Sequence, residues 1–223
     1  MYTVNHWIDG KEYAVGTKTS PIYNPGTGEK IGEVLNADEA TVDMAVANAK
    51  EAFKTWSQVS FGKRTAIMFK FRELLTAATD ELAEIVSREH GKVLNDAAGE
   101  IGRGLDVVEY VCGIPQLLKG EYTMQASSNL DVYSFREPLG VCGGVTPFNF
   151  PVMCPMWMAP VAIACGNTFV LKPAKADPSA ALFIAKLWKE AGLPDGVFNI
   201  VNGDRVTVKA LETHPDIKSM SFV

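Results

Sequence analysis

The stretch VCGGVTPFNFPVMCPMWMAPVAIACGNTFVLK, residues 141–172, decides the fold. It contains a short apolar run at residues 141–145, a longer apolar segment at residues 153–165 and a second short run at residues 168–171. Short apolar runs on either side of a helix-length segment are typical of two buried parallel strands joined by a crossover helix. The stretch therefore predicts a strand, helix and strand in succession.

The same alternation continues toward the C terminus. Helices are predicted at residues 179–191 and 206–212, and strands at residues 197–201 and 217–223. Strands that alternate with helical crossovers form a parallel sheet, and such crossovers are right-handed in nearly all proteins. The predicted fold class is therefore α/β with a parallel sheet.

The sequence also predicts two hairpins. The runs NHWI and KEYAV flank Asp9-Gly10, a dipeptide that suits a tight turn, and a Pro- and Gly-rich connection follows at residues 20–34. Polar and apolar residues alternate before a turn at Pro138. We therefore expect residues 131–136 to belong to an exposed hairpin arm.

The region between the two hairpins is predicted to be helical. Apolar residues recur at helical spacing from a start near Asp38, which can cap a helix. Further helices are predicted at residues 63–90, ending at Gly91, and at residues 95–118. Each has one apolar face, so these helices need a sheet on which to pack.

Composition and charge exclude several classes of protein. The chain has 223 residues, 47% of them hydrophobic, and 21 basic against 26 acidic side chains give a net charge of −5. This mild acidity provides no basic surface for nucleic acid. The longest apolar run, residues 150–165, is interrupted by prolines and too short to span a bilayer, and the N terminus lacks a secretory signal pattern. We expect no membrane partner and a cytoplasmic location.

The cysteines and histidines predict no metal site. The four cysteines have no C-x-x-C spacing and lie among apolar neighbours, so reduced core thiols are expected. The three histidines are far apart in sequence, which makes a histidine-based metal site or a Ser-His-Asp triad hard to build. A G-x-S-x-G motif is also missing, which argues against an α/β hydrolase.

A ligand of such a sheet is expected at the carboxyl ends of its strands. The loops at those ends are TPFNFP, KPAKADPS and NGDR. None of them contains the G-x-G-x-x-G fingerprint of an ordinary dinucleotide site, so motif matching alone does not identify a nucleotide fold.

Asn149 and Lys172 are the residues in these loops with clear chemical uses. Asn149 lies between Pro147 and Pro151, which restrict the backbone, so its amide is suited to donate a hydrogen bond to a developing oxyanion; a helix cap is the alternative. Lys172 follows the second strand, where it can reach a ribose or a phosphate; a solvated lysine is the alternative.

The sequence resembles the N-terminal half of the aldehyde dehydrogenase superfamily. The resemblance rests on PFNFP, GNTFVLKP, AGLPDGVFNIVNG and HPDIKSMSFV, and it extends over nearly the whole chain. Within the superfamily the sequence is most similar to the acylating, coenzyme-A-dependent methylmalonate-semialdehyde dehydrogenases. Enzymes of this branch oxidise malonate-type semialdehydes with NAD, through thiolate attack on the aldehyde, hydride transfer, and capture of the thioester by coenzyme A.

The resemblance implies specific roles in catalysis and in cofactor binding. Asn149 matches the asparagine that stabilises the oxyanion. Thr146, Pro147 and Phe148 match the segment that lines the nicotinamide end of the NAD pocket, and Lys172 matches the lysine that holds the adenosine ribose.

The resemblance also implies a substrate residue and a domain division. Arg103 matches an arginine that this branch uses toward the substrate carboxylate, although an ion pair on a helix surface is the alternative. Residues 1–118 and 139–223 correspond to an incomplete, discontinuous NAD-binding domain. Residues 119–138 correspond to an oligomerisation hairpin, so a homo-oligomer is expected.

The first departure from the family pattern concerns the cofactor. Where this branch usually has K-P-S-E, the chain has Lys172-Pro173-Ala174-Lys175, so a carboxylate that binds both ribose hydroxyls is replaced by a cation. We assign Lys175 and Ala176 to the cofactor site together with Lys172. Because a cation attracts a 2′-phosphate, we expect that NADP is tolerated as well as NAD.

The second departure is that the sequence stops at Val223. In the family, the pyrophosphate-binding turn, the general-base glutamate and the nucleophilic cysteine all follow this strand, and no cysteine present here lies in the nucleophile's motif. We therefore expect the N-terminal, cofactor-binding part of such a dehydrogenase, inactive by itself. The alternative is a non-catalytic nucleotide-binding or assembly module, whose exposed hairpin and sheet edge favour self-association.

Overall fold

The computed structural model describes residues 1–16 and 18–223. The strands in these residues are β1 (Tyr2–Val4), β2 (His6–Ile8), β3 (Lys11–Tyr13), β4 (Thr19–Tyr23), β5 (Lys30–Leu35), β6 (Tyr122–Ser127), β7 (Leu130–Tyr133), β8 (Val141–Val145), β9 (Thr168–Lys172), β10 (Phe198–Ile200) and β11 (Ile217–Phe222).

The helices lie before and between the strands of the main sheet. They are α1 (Glu39–Trp56), α2 (Phe61–Ala77), α3 (Thr79–His90), α4 (Leu94–Cys112), α5 (Ile114–Leu117), α6 (Met153–Ala164), α7 (Ser179–Glu190) and α8 (Arg205–Thr213). In the described ranges, none of these helices has the length and hydropathy that a membrane crossing requires.

The main sheet has six strands in the order β11-β8-β9-β10-β2-β3. The pairs β11–β8, β8–β9 and β9–β10 are parallel, which confirms the α/β prediction with its parallel sheet. In the β8–β9 ladder Val145 lies opposite Lys172, and the N–H of Thr146 donates to the carbonyl of Lys172 at 3.2 Å. This register places the loops that follow β8 and β9 next to each other.

Helices cover both faces of this sheet. Val170 belongs to an apolar cluster with Val46 of α1, whereas its neighbour Phe169 belongs to a second cluster with Met156 of α6 and Trp188 of α7. Successive side chains of a strand point to opposite faces, so one strand serves both clusters. The buried strands are apolar on both sides for this reason.

The helix predicted over residues 63–90 is two helices, so the prediction of one continuous helix was wrong. The break lies at Ala78, between α2 and α3. The hydroxyl of Thr79 donates to the carbonyls of Leu75 at 3.2 Å and of Thr76 at 3.0 Å. Such side-chain bonds to the backbone compete with the regular helical pattern, and apolar periodicity alone does not reveal them.

The Pro- and Gly-rich segment at residues 20–34 is not a plain connection, in contrast to the prediction. It contributes β4 and β5 to a separate sheet with the order β1-β5-β4. Pro25, Gly26 and Gly28 lie in the turn between the strands, where the N–H of Gly28 donates to the carbonyl of Asn24 at 2.7 Å, whereas Pro21 and Gly32 lie within β4 and β5. Ile22 and Val34 on the two strands are fully buried, and their burial outweighs the weak strand propensity around them.

The N-terminal hairpin forms as predicted and joins the edge of the main sheet. Asp9 and Gly10 have φ values of 55° and 68°, and β2 and β3 pair in antiparallel fashion across them. Strand β2 then pairs antiparallel with β10. The hairpin therefore extends the parallel sheet, which the sequence pattern did not predict.

Residues 119–138 contain the antiparallel pair β6–β7, and every residue of these two strands is exposed. The predicted hairpin arm is confirmed as a structure. Its exposed apolar side chains are Tyr122, Met124, Leu130, Val132 and Tyr133.

The turn between β2 and β3 leads to a test of the fold. A Cβ added to Gly10 would lie 1.6 Å from Oδ1 of Asp195, at a φ of +68°. We expect Gly10→Ala to lower the free energy of unfolding by about 1–3 kcal/mol, because both the contact and the backbone angle are unfavourable. Urea denaturation followed by circular dichroism measures the change.

The matched control is Gly99→Ala in α4, where an added Cβ meets no atom within 4 Å. This variant is expected to stabilise the chain by about 0.5–1 kcal/mol, since alanine favours a helix interior. Equal urea midpoints for the Gly10→Ala variant and the unaltered chain would show that the turn does not constrain the sheet edge.

Candidate functional site

Asn149 lies in the loop between β8 and α6, and its side chain is exposed. The residue that precedes the first turn of α6 is Val152, and no side chain of the loop caps the helix. The alternative interpretation of Asn149 as a helix cap is therefore wrong. The side chain remains free to meet a ligand, while the carbonyl oxygen of Asn149 accepts a hydrogen bond from Nζ of Lys92 at 2.6 Å.

The N terminus of α6 is capped from a distance by Glu100 of α4. Its Oε1 accepts hydrogen bonds from the N–H groups of Val152 at 2.7 Å and Met153 at 3.1 Å, and the residue is fully buried. A helix start has unpaired N–H groups and a partial positive charge, and a carboxylate satisfies both. The other carboxylate oxygen pairs with the ammonium of Lys92.

Two cations lie at the ring of Phe150, the residue after Asn149. Nζ of Lys92 is 4.2 Å from the ring centroid, and Cζ of Arg103 is 5.7 Å from it. Arg103 is exposed on α4. Its guanidinium therefore flanks the Asn149 loop and does not take part in any ion pair with the described residues, so the alternative of a surface ion pair is not supported.

The carboxyl ends of β8 and β9 open into one cleft of about 400 Å³. All six residues that the sequence assigned to the cofactor line it, and they are Thr146, Pro147, Phe148, Lys172, Lys175 and Ala176. The hydroxyl of Thr146 is buried and has no hydrogen-bond partner among the described residues. An unpaired buried hydroxyl at a cleft wall is a group that a bound ligand can satisfy.

The cleft also contains residues that sequence reasoning missed, namely Ala174, Gly203, Asp204, Arg205 and Val208. Most of them belong to the loop NGDR and the first turn of α8. The position of this loop at the end of a parallel strand was the available signal, but no motif distinguished its residues. Arg205 adds a second exposed cation to the side of the cleft that carries Lys175.

Lys172 is not a solvated lysine, because only 8% of it is exposed. Burial lowers the pKa of its ammonium, and the nearby charge of Lys175 lowers it further, while the carboxylate of Asp204 acts in the opposite direction. A buried cation between these groups is suited to hold an oxygen-rich ligand at the cleft floor.

A second capping glutamate lies beside the cleft. Glu89 of α3 accepts hydrogen bonds from the N–H of Ser179 at 3.0 Å and from its hydroxyl at 2.5 Å, at the start of α7, and from the hydroxyl of Tyr2. The adjacent Asp177 is 2% exposed, and neither of its carboxylate oxygens has a partner among the described residues. Burial, with Glu89 and Glu100 nearby, raises the pKa of Asp177 to about 8.

All four cysteines are free thiols. Burial raises the pKa of each, and that of Cys142 reaches about 11. Nucleophilic attack requires the thiolate, which is scarce at neutral pH when the pKa is raised. The structure thus agrees with the expectation of core thiols, and none of the four is suited to be a nucleophile. Across residues 1–16 and 18–223, no cluster of three or more His, Cys, Asp or Glu side chains could hold a metal ion.

Comparison with known proteins gives a consistent result. The sequence profile of the aldehyde dehydrogenase family matches residues 12–223. A malonate-semialdehyde dehydrogenase from Pseudomonas aeruginosa is 46% identical over 223 residues, which are 100% of this chain and 45% of that protein. The chain thus spans less than half the length of this relative.

Solved structures show the same partial coverage. A protein from Sinorhizobium meliloti, described as a methylmalonate-semialdehyde dehydrogenase and complexed with NAD, is 50% identical with a TM-score of 0.97, over 100% of this chain and 45% of that one. An NADP-dependent enzyme from E. coli is 29% identical with a TM-score of 0.95, over 99% of this chain and 46% of that one.

Asp177 leads to a prediction for the pH dependence of stability. Its pKa in the folded chain, about 8, is above its ordinary value of 3.8. The proton is therefore held more tightly in the folded state, so the contribution of this carboxyl is fully present below about pH 4 and is lost as the pH rises to 8. Asp177→Asn is expected to stabilise the chain by at least about 1 kcal/mol at pH 8, with a smaller difference at pH 5.

Urea denaturation at several pH values between 5 and 8 measures this difference. The Asp96→Asn variant makes the same substitution at an exposed position and is expected to follow the pH profile of the unaltered chain. Parallel pH profiles for the Asp177→Asn variant and the unaltered chain would contradict the assignment of a buried, protonated Asp177.

Proposed function

The chain belongs to the aldehyde dehydrogenase family, and on that basis we propose that it forms the nucleotide-binding part of an NAD-dependent, coenzyme-A-acylating malonate- or methylmalonate-semialdehyde dehydrogenase. The single observation that carries this proposal is the cleft at the ends of β8 and β9, because the six residues assigned to the cofactor all line it. Relatives with malonate-type semialdehyde names support the substrate class.

The cleft fits the adenosine side of a dinucleotide. Lys172 at its floor offers donors to ribose hydroxyls, and the unpaired hydroxyl of Thr146 offers another polar contact. The helix start at α6, where dinucleotide folds bind phosphate, holds Glu100 instead, so a phosphate there would meet a buried carboxylate. The start of α8 is capped as well, by Asp204, so the nucleotide is expected along the cations of the cleft, Lys172, Lys175 and Arg205. NAD bound there would supply a hydride acceptor to the aldehyde carbon.

Asn149 and Arg103 are assigned to the aldehyde. The exposed amide of Asn149 lies directly after Phe148 at the cleft rim, so it is positioned to donate a hydrogen bond to the aldehyde oxygen as negative charge develops. Arg103, beside the ring of Phe150, offers a bidentate fork to the carboxylate of a semialdehyde acid. Coenzyme A is the proposed acyl acceptor, and the thiolate nucleophile is not among the cysteines of this chain.

Residues 1–118 and 139–223 are proposed to form the nucleotide-binding domain, and residues 119–138 the contact arm of a homo-oligomer. The exposed apolar side chains of β6 and β7 support the second assignment, because a ribbon with both faces open to solvent buries no core of its own. The same arm would serve the alternative, a non-catalytic nucleotide-binding or assembly module. A pure assembly module differs from the proposal by failing to bind nucleotide.

The charges of the cleft favour NADP as well as NAD. Lys175 and Arg205 line the same cleft, and both are exposed. A 2′-phosphate on the adenosine ribose would lie near two cations instead of the carboxylate that usually occupies the position of Lys175. A solved relative from E. coli named as NADP-dependent agrees with a fold that accepts this cofactor.

Calorimetric titration of the 223-residue chain with NAD and NADP tests both proposals. We expect both to bind, with NADP no more than about tenfold weaker than NAD. Lys175→Glu is expected to weaken the binding of NADP at least tenfold relative to that of NAD, because a cation near the 2′-phosphate becomes an anion. A tenfold change corresponds to about 1.4 kcal/mol of binding free energy.

The control is Lys63→Glu, an exposed residue of α2 outside the cleft, which should leave the ratio of the two affinities unchanged. NAD binding at least tenfold tighter than NADP would contradict the tolerance of NADP. No binding of either nucleotide would contradict the proposed function and favour the assembly module. Turnover of methylmalonate semialdehyde with coenzyme A by the chain alone would contradict its assignment as the cofactor-binding part only.

A further inference from the structure

Asn149 is held in place mainly by residues outside its own loop. The loop begins with the bond from the N–H of Thr146 to the carbonyl of Lys172 at 3.2 Å, on the ladder of β8 and β9. Beyond Thr146, its principal anchors are Lys92 at the carbonyl of Asn149 and Glu100 at the N–H groups of Val152 and Met153. These two side chains also pair with each other.

Lys92 reaches the loop because of the way α3 ends. Gly91 adopts a φ of 86°, which closes the helix and turns the chain toward the sheet. A Cβ at Gly91 would lie 2.7 Å from Cγ of Pro25, so the turn is also packed closely. The side chain of Lys92 is 14% exposed and that of Glu100 is 0% exposed. The pair therefore lies where water screens it little.

The contact at the carbonyl restrains the backbone from which the side chain of Asn149 extends. The carbonyl oxygen of Asn149 accepts a hydrogen bond from Nζ of Lys92, and the residue is exposed directly after Phe148, which lines the cleft. Since a planar peptide and its two neighbouring dihedrals determine where Cβ lies, fixing the carbonyl also fixes the base of the amide side chain. An oxyanion donor acts through such a fixed position before reaction.

We propose that Lys92 and Glu100 are positioning residues, whose ion pair holds the backbone of the Asn149 loop and so sets the position from which the Asn149 amide extends. The inference rests on the proposed role of Asn149 in the proposed function. Neither residue touches the aldehyde. Their effect is to restrain the backbone that carries the amide, and loss of this restraint is visible in the chain without any turnover.

Nuclear magnetic resonance of the chain tests the proposal through the side-chain amide of Asn149, whose signal is assigned by its disappearance in Asn149→Asp. In Lys92→Met, we expect the order parameter of this amide to fall and exchange of the Val152 and Met153 backbone N–H groups to accelerate at least about tenfold, because the anchored segment opens more often. In Lys92→Arg, which keeps a charged donor, the exchange rates should return to within a few-fold of those in the unaltered chain.

The matched control is Lys54→Met, which breaks an exposed pair with Glu51 and should change none of these signals. An unchanged Asn149 order parameter and unchanged exchange at Val152 and Met153 in Lys92→Met would overturn the proposal. If Lys92→Met does not fold, the unaltered chain decides: a Lys92 ammonium resonance with a scalar coupling to the Asn149 carbonyl supports the proposal, and an ammonium in free exchange with water overturns it.

Nucleotide titration of the same samples separates this inference from the proposed function. If the order parameter of the Asn149 amide falls in Lys92→Met but the unaltered chain binds neither NAD nor NADP, the proposed function is rejected. The positioning contact is then retained. If the chain binds nucleotide but the order parameter of the Asn149 amide is unchanged in Lys92→Met, only the positioning role is rejected.

Discussion

The buried carboxylate of Glu100 joins three parts of the structure. It accepts the first N–H groups of α6, it pairs with Lys92 after α3, and it belongs to α4. Burying a carboxylate away from water costs free energy unless hydrogen-bond donors and a positive charge surround it. Here the helix terminus and the ammonium supply both. The loop that carries Asn149 lies between these contacts, so its geometry depends on this one group.

The far end of α6 is also fixed by side chains from other helices. Trp56 donates to the carbonyl of Ile163 at 3.0 Å, and the buried Arg64 donates to that of Ala164 at 3.0 Å. A cation at a helix C terminus and an anion at its N terminus both complement the helix dipole. With Glu89 at the start of α7 as well, carboxylates fill the helix starts where dinucleotide folds usually hold phosphate. The start of α8 is capped too, by Asp204, whose carboxylate accepts from the N–H of Val206 at 2.9 Å. What distinguishes the cleft beside α8 is its cations, since Lys172, Lys175 and Arg205 all line it.

The sequence predicted what local pattern determines. Apolar runs predicted the strand, helix and strand that are β8, α6 and β9, and the carboxyl ends of these strands led to the cleft that Lys172 and Thr146 line. The sequence did not predict features that depend on contacts between residues far apart in the chain. The cap of α6 comes from Glu100, 52 positions before Val152, so no local signal marks it. Periodicity also did not show the break at Ala78, and no motif indicated Arg205. The family resemblance assigned single residues, but the arrangement that holds them is a property of the tertiary structure.

The central claim is that Glu100 occupies the start of α6 and directs a nucleotide to the cleft beside α8. A crystal structure of the chain with NAD tests it most directly. The account predicts an adenosine ribose at Lys172, with Glu100 still bonded to the N–H groups of Val152 and Met153. A phosphate bound to those N–H groups, with the carboxylate of Glu100 displaced, would contradict it.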